Sequence, residues 1–326
     1  MPGMIRRILA AAVVSISVLS IAPAASAQVQ VAMGDSLSVE TLAMAIALER
    51  AKARGFNNTM TAFAREDLAI QAVINGQAQI GIATPYAVMQ RTRAPVRNLM
   101  QLTRLVFFPV ADRSIANWQA LNGQPITFHA RGSGTEAIGN ILARRNNITF
   151  GQRNYIAGSE NRVVALLNGQ IHATILDLAN KNLLLQRGGD RFHVLPGLDN
   201  PASDEVLFVR LDWMQANAAA TDLLVAEFQR LWTEMAANPA IIEQERARIG
   251  LLRDAPREVL ANVTPFHIQG VREGVFSRDG GSPETVRGDF EFYVEGGQLT
   301  GPADQLRLED FWDLGPLTRA RSRTPS

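Results

Sequence analysis

The chain of 326 residues contains no cysteine. This absence excludes a disulfide framework, a thiolate nucleophile and every zinc site that is built on cysteine. It also excludes a lipid anchor of the bacterial lipoprotein type, which needs a cysteine at the cleavage point. Any site in this protein must therefore use other side chains or the backbone.

An excess of charge of either sign is also missing. The sequence has 32 Lys and Arg against 31 Asp and Glu, and Lys52 and Lys181 are its two lysines. Binding of nucleic acid through general electrostatics needs a basic surplus, which this composition does not provide. We therefore expect no nucleic-acid partner.

Motifs of catalysis are weak. The segment Gly132-Ser133-Gly134 does not have the G-x-S-x-G spacing of a nucleophile elbow, and there is no glycine-rich P-loop. Four histidines occur without metal-ligand spacing, and the first of them, at the end of a predicted strand, is expected to be a core or cleft residue: His129, His172, His193 and His267. We expect no catalytic residues, no metal and no cofactor.

The N-terminus has the layout of a secretory signal peptide. Arg6 and Arg7 precede an apolar run over residues 8–22, and the small residues Ala25 and Ala27 follow it. An apolar run of about 15 residues is shorter than the roughly 20 that span a bilayer as a helix. The sequence therefore predicts a signal peptide over residues 1–27, cleavage after Ala27, and a soluble, mostly monomeric periplasmic product.

Predicted strands and helices alternate along the chain that follows. The pattern indicates strands over 29–33, 59–64 and 79–84, with helices over 38–54 and 67–75. Such alternation is typical of a largely parallel sheet covered by helices. The fold class predicted from the sequence is α/β.

An internal repeat extends this prediction. The segment 72–84 matches the segment 165–177, and both place Asn-Gly-Gln between a helix end and an apolar strand. Two lobes of related βαβ topology explain the match, whereas the alternative is a common helix stop that occurs twice by chance. Extended stretches over 102–110 and 205–210 are the expected crossings, so the first lobe is predicted as 28–110 plus 206–326 and the second as 111–205.

The loops at the carboxyl ends of the strands are the candidate ligand site, because ligands of open α/β sheets bind there. The loop after the strand at 126–129 has two glycines and opens a helix, and helix N-termini favour anions. The alternative for each loop is a helix cap or a turn, and Ser133 and Glu136 do form a capping-box pattern. The candidate ligand-binding residues are Asp35, Ser36, Leu37, Thr84, Pro85, Arg131, Ser133, Gly134, Thr135, Glu160 and Asp177.

The chemistry of these candidate residues predicts a cleft whose two ends bind different chemical groups. The helix start at Ser133 to Thr135, with Arg131 nearby, is expected to bind an acidic group. Glu160 and Asp177 are expected to accept hydrogen bonds from an amine or a ring N–H. The prediction favours a small zwitterion or an amino-substituted heterocycle over plain nitrate.

The C-terminal part resembles a known family. The segments 281–285, 289–293, 297–299 and 308–317 are similar to the ending of substrate-binding proteins of the nitrate/sulfonate/taurine ABC transporter group, which are related to the NMT1/THI5-like family. The glycine-serine-glycine-threonine loop and the paired Asn-Gly helix stops also fit that family.

This resemblance implies a type II periplasmic-binding fold, which closes on its ligand without cofactor or catalysis and passes the ligand to an ABC permease. The ligand would be a small organic molecule such as a sulfonate, a carboxylate, an amino-sulfonate or a pyrimidine. Two alternatives stay open: a periplasmic enzyme on the same fold, such as a dehydratase, and a ligand-sensing module that docks on a membrane receptor.

Overall fold

The computed structural model describes residues 28–199 and 202–323. The predicted signal peptide over 1–27 lies outside the described residues. Two five-stranded sheets, each with its own helices, form the framework.

The first sheet combines strands from both ends of the chain. Its strands are β1 (Val29–Met33), β2 (Asn58–Ala62), β3 (Ile80–Ala83), β4 (Val96–Gln101) and β10 (Val206–Arg210). They lie in the order β2-β1-β3-β10-β4, with β1 parallel to β2 and β3 and with β10 antiparallel to β3 and β4. β10 therefore enters this sheet from a distant part of the chain.

The second sheet has the same plan. Its strands are β5 (Phe108–Asp112), β6 (Ile126–Phe128), β7 (Arg153–Tyr155), β8 (Ala173–Leu176) and β9 (Phe192–Val194). They lie in the order β7-β6-β8-β5-β9, where β6 is parallel to β7 and β8 and β5 is antiparallel to β8 and β9. In each sheet the fourth strand in spatial order runs against its neighbours.

Fourteen α-helices occur in the described residues. The first lobe contributes α1 (Leu42–Ala53), α2 (Glu66–Ile74) and α3 (Tyr86–Thr92), and the second contributes α4 (Gly134–Arg145), α5 (Ser159–Leu167) and α6 (Leu178–Gly188). The C-terminal part adds α7 (Leu211–Ala216), α8 (Ala218–Ala237), α9 (Ile241–Ile249), α10 (Arg257–Ala261), α11 (Val263–Glu273), α12 (Pro283–Glu295), α13 (Leu308–Phe311) and α14 (Gly315–Arg323). In the described ranges, no helix is long and apolar enough to cross a membrane.

The internal repeat corresponds to equivalent elements. Its first copy contains the end of α2, then β3, and its second copy contains the end of α5, then β8. In both copies the glycine after the helix takes a left-handed conformation, with φ of 80° at Gly76 and 69° at Gly169. A side chain would be strained there, so the Asn-Gly pair ends the helix in both lobes.

Two crossings connect the sheets and run side by side. Leu102 donates its backbone N–H to the carbonyl of Glu205 at 2.9 Å, and Asp204 donates to the carbonyl of Thr103 at 2.9 Å. The strand predicted over 102–110 is regular only from Phe108, because the residues before it pair with the other crossing instead of with a sheet.

A third contact between the lobes comes from α12. This helix packs against α4, and the Asn140 side-chain amide donates to the carbonyl of Gly296 at 2.6 Å. The buried cluster that contains Phe290 and Tyr293 of α12 also contains Phe128 and Ile138 of the second lobe. One apolar core therefore continues from the first sheet to the second.

Candidate functional site

A cavity lies between the two sheets, next to both crossings. It is lined by loops that follow β1, β3 and β6, by the first turns of α2, α4 and α5, and by crossing residues. The cavity of about 40 Å³ has room for a few water molecules as the lobes stand. Its lining consists of Asp35, Glu40, Thr41, Met44, Glu66, Thr84, Thr103, Phe107, His129, Ser133, Gly134, Thr135, Ser159, Arg162, Asp204 and Glu205.

The first lobe supplies three of the carboxylates. Asp35 and Glu40 lie in the loop between β1 and α1, and the Thr41 hydroxyl folds this loop by donating to the carbonyl of Ser36 at 2.9 Å. Glu66, the first residue of α2, is buried and accepts a hydrogen bond from the backbone N–H of Thr84. These three acids therefore face the cavity from two different elements.

The second crossing supplies two more. Asp204 and Glu205 precede β10, and Thr103 of the other crossing holds both of them. Its hydroxyl contacts Asp204 Oδ2 at 3.4 Å and accepts from the backbone N–H of Glu205 at 3.0 Å. Glu205 Oε2 is buried without a hydrogen-bond partner among the described residues.

Burial and mutual repulsion disfavour the charged form of these acids. Burial raises the pKa of Asp35 to about 6 and that of Glu66 to about 7, although the bond from Thr84 opposes the shift at Glu66. For Glu40, Asp204 and Glu205, burial followed by the charge of neighbouring carboxylates raises the pKa well above the usual range. The empty cleft is therefore a costly place for five negative charges.

Arg162 of α5 faces these acids from the second lobe. Its guanidinium is 1% exposed and donates to the carbonyl of Ile156 at 2.9 Å and to the Ser159 hydroxyl at 2.7 Å. Its Nε has no hydrogen-bond partner in the described part of the chain. Burial lowers the pKa of Arg162, but a guanidinium stays protonated in proteins.

His129 is a second donor on this side. Its Nδ1 accepts from the backbone N–H of Gly158 at 3.4 Å, so the proton of the neutral ring is assigned to Nε2. Burial, followed by the nearby charge of Arg162, lowers the pKa of His129 to about 3. The neutral ring belongs to the lining of the cavity and has one N–H, at Nε2, to donate.

The start of α4 completes the second-lobe side. The Ser133 hydroxyl caps the helix by accepting from the N–H of Glu136 at 3.4 Å, as the capping-box pattern predicts. The Glu136 carboxylate accepts from the backbone N–H of Gly132 at 2.8 Å. In a complete capping box it would accept from the backbone N–H of Ser133 instead. Thr135 accepts from the N–H of His129 at 3.1 Å, which fixes this loop against the end of β6.

The structure brings about half of the candidate residues named from the sequence to the cavity. Those that line it are Asp35, Thr84, Ser133, Gly134 and Thr135, and those outside its lining are Ser36, Leu37, Pro85, Arg131, Glu160 and Asp177.

The outlying candidates have other contacts. Arg131 is exposed, with its guanidinium 4.8 Å from the ring centroid of Tyr155. Glu160 is exposed, and buried Asp177 caps α6 by accepting from the N–H of Asn180 at 2.9 Å. Pro85 is the N-cap residue of α3.

Several lining residues were not named from the sequence. Glu66 and Arg162 belong to the first turns of helices, where charged residues ordinarily indicate a solvent-facing surface. Glu205 is the first residue of the stretch 205–210 that the sequence predicts as a crossing, and Asp204 directly precedes it. The internal repeat was one available signal for Glu66 and Arg162. Their helices, α2 and α5, follow β2 and β7, which hold the same position in the two sheets.

In residues 28–199 and 202–323, no group of three or more His, Asp or Glu residues is arranged to hold a metal ion.

In sequence, the chain matches no protein-family model and no curated protein closely enough for assignment. In three dimensions, a protein of Bordetella bronchiseptica RB50 superposes with a TM-score of 0.74 at 19% identity, covering 91% of this chain and 98% of that chain. The periplasmic nitrate-binding protein NrtA from Synechocystis PCC 6803 gives 0.69 at 11% identity, covering 90% and 88%. The alkanesulfonate-binding protein SsuA from Xanthomonas axonopodis pv. citri, bound to MOPS, gives 0.62 at 14% identity, covering 84% and 95%.

These similarities define the fold of the chain, which is the periplasmic-binding-protein fold. The two equivalent sheets, each with one antiparallel strand, and the cleft between them make it the type II form predicted from the sequence. At identities of this size the comparison establishes architecture and leaves the ligand open.

Proposed function

We propose that the protein is the periplasmic solute-binding component of an ABC importer and captures a small organic ligand in the cleft between its lobes. The observation that carries this proposal is a cavity between two lobes whose lining includes Arg162 and Glu205, and each of these residues has one buried atom, Nε and Oε2, without a hydrogen-bond partner among the described residues. Buried polar groups in proteins are ordinarily hydrogen-bonded, so a bound ligand is a fitting partner for both.

The fold and the N-terminus support the same function. Solved proteins of this architecture include a nitrate-binding and an alkanesulfonate-binding protein. The predicted signal peptide supports delivery to the periplasm, where a permease would be the partner. Membership of the nitrate/sulfonate/taurine group, and the narrower relation to the NMT1/THI5-like family, are parts of this proposal.

In this function the protein binds its ligand and does not convert it chemically. The segments 28–110 plus 206–326 and 111–205 are proposed as the two bodies that close on the ligand. Ligand contacts that span both lobes favour the closed state, because such contacts form only when the lobes meet.

Recovery of the natural ligand tests this function. The protein is purified from the periplasm without added solutes and denatured, and the released small molecules are identified by mass spectrometry. The identified compound should return unchanged after incubation with the protein, should bind in calorimetry, and should reduce the radius of gyration in small-angle scattering. A compound that is chemically converted would support the enzyme alternative, and an unchanged radius at saturation would contradict closure.

A further inference from the structure

We propose that the ligand carries a protonated nitrogen with N–H donors, such as an ammonium or amidinium group, together with a hydrogen-bond acceptor at its other end. This inference rests on the proposed binding function and names the chemical class that the cleft selects.

The two walls of the cavity carry different chemical groups. The carboxylates of Asp35, Glu40 and Glu66 come from the first lobe, and those of Asp204 and Glu205 from the second crossing. A carboxylate only accepts hydrogen bonds when ionised, so this wall fits a group rich in N–H donors.

The opposite wall has the complementary character. Arg162 lines this wall, and its Nε–H has no partner among the described residues. His129, a neutral ring with one N–H, lines it too, and so do the N-cap residue Ser133 and the first residues of α4. A bare metal ion would use the carboxylates and leave these donors unmatched. A carboxylate or carbonyl group on the same ligand would match them.

The charge balance of the cavity points to the same ligand class. In the part of the chain that the structure describes, Arg162 is the one permanent cation among the residues lining the cavity, against five carboxyl groups. An anionic ligand would favour the protonated form of these acids, whereas a cationic nitrogen pairs with their ionised form. Opposite charge at hydrogen-bond distance in a buried site is strongly favourable, and like charge is costly.

Proton binding by the acidic wall gives a further sign of the ligand. Burial raises the pKa of Asp35 to about 6 and that of Glu66 to about 7, so without a ligand these acids take up protons as pH falls through this range. A cationic nitrogen needs the ionised acids and therefore displaces protons, so its affinity should rise with pH through this range. The titratable and charged groups around these acids are Glu40, Asp67, His129, Glu160, Arg162, Asp177, Asp204 and Glu205.

The test uses compounds that differ in one charged end. β-Alanine, propionate and propylamine share a three-carbon skeleton, and 4-aminobutyrate, butyrate and butylamine share a longer one. Nitrate, ethanesulfonate, taurine, calcium chloride and zinc chloride complete the panel. Binding is measured by calorimetry at pH 7.5 and 5.5, with the compound released from the native protein included in the same series.

The expected result is that the tightest ligand, whether from the panel or released, carries a protonated N–H group. The amino acids should bind at least about 10-fold more tightly than the matching carboxylates, because they add charged hydrogen bonds to the acidic wall. Affinity should fall on acidification to pH 5.5, by up to about 10-fold per pH unit for each proton displaced.

Variants locate the effect. Glu205→Gln and Asp35→Asn should each weaken binding of the amine-bearing ligand by about 10-fold or more. The matched control is Glu258→Gln, which changes an exposed acid on α10 and should leave the affinity unchanged. Circular dichroism and melting temperature show that each variant is folded.

The outcomes separate the two proposals. If the tightest ligand is an anion without a protonated nitrogen, or a metal ion alone, the inference is overturned and the binding function stands. If Glu205→Gln and Asp35→Asn bind the amine as the wild type does, the inference is likewise overturned. If no compound binds and none is released from the native protein, both proposals fail.

Discussion

The Tyr86 hydroxyl donates a hydrogen bond to the Asp289 carboxylate where α3 meets α12. The same carboxylate accepts from the backbone N–H and the hydroxyl of Ser203, each at 2.6 Å. The Trp312 indole N–H in turn donates to the Tyr86 hydroxyl at 2.8 Å. All four residues are buried, so this network fixes the second crossing against the C-terminal helices.

Breaking this network should lower stability. Asp289→Asn keeps the shape but replaces an acceptor with an amide N–H₂ that faces other donors, and we expect a loss of about 2–3 kcal/mol in the free energy of unfolding. Tyr86→Phe should cost about 1–2 kcal/mol, because it leaves the Trp312 N–H without its acceptor. Urea unfolding of both single variants and of the double variant measures the coupling. Strictly additive losses would show that the two side chains act independently.

A second prediction concerns Gly81 on β3. The Phe208 ring of β10 lies across it, and a Cβ at Gly81 would come within 2.1 Å of a ring atom. Gly81→Ala should therefore displace the ring and destabilise the first sheet by several kcal/mol, as overpacking of a core does. The control is Gly288→Ala on α12, where nothing lies within 4 Å of the added methyl group and higher helix propensity should raise stability by up to about 1 kcal/mol. Equal melting temperatures for both variants would contradict this account.

The third prediction is the pH dependence of the ligand-free protein. The folded-state pKa is raised to about 6 for Asp35 and Asp289 and to about 7 for Glu66. The folded state therefore holds more protons than the unfolded state, and these groups contribute stability at low pH that is lost as pH rises through 6 and 7. The melting temperature should fall between pH 6.5 and 8, because the opposite contribution of His129 and His267, whose pKa is lowered from 6.5 by burial, is confined to lower pH.

Glu66→Gln provides the check on this pH effect. Because the amide does not titrate, the variant should show a shallower decline of melting temperature than the wild type over the same interval. A wild-type melting temperature that increases from pH 6.5 to 8 would refute the raised pKa values as the main influence on stability in this range.

The fourth prediction is a stabilising change at Asn98 of β4. Both polar atoms of its side chain are buried and lack hydrogen-bond partners among the described residues. Asn98→Val removes the unpaired amide and introduces a residue that suits a strand, so we expect a gain of about 1–2 kcal/mol in thermal or urea unfolding. Asn98→Asp, of the same shape, should be destabilising because it buries a charge. A loss of stability in the valine variant would indicate that the amide has a bonded partner in solution.

Local pattern predicted much of the fold. The strand expected over 29–33 is β1 as observed, because an apolar run flanked by turn residues leaves few alternatives. The helix expected from Ser38 begins instead at Leu42, since the Thr41 side chain holds the preceding residues in turns by accepting from the N–H of Ser38 at 2.9 Å. Such a side-chain contact gives no periodic signal.

The cleft was predictable only in part. Ser133 to Thr135 could be named because a glycine-rich loop after a strand has a recognisable chemistry. Glu66 and Arg162 could not, because a charged residue in the first turn of a helix gives no local sign that it is buried. Their partners Thr84 and Ile175 lie in later strands or loops. The same holds for Asp204, whose position is set by its pairing with the other crossing.

The packing of α12 on α4 limits how the lobes can move. The second lobe meets the first at another helix pair as well, because α6 packs on α11 and the Asn182 side-chain amide donates to the Gln269 side-chain oxygen at 2.8 Å. Any rotation that separates the lobes must therefore break or slide contacts of both helix pairs, in addition to bending the two crossings.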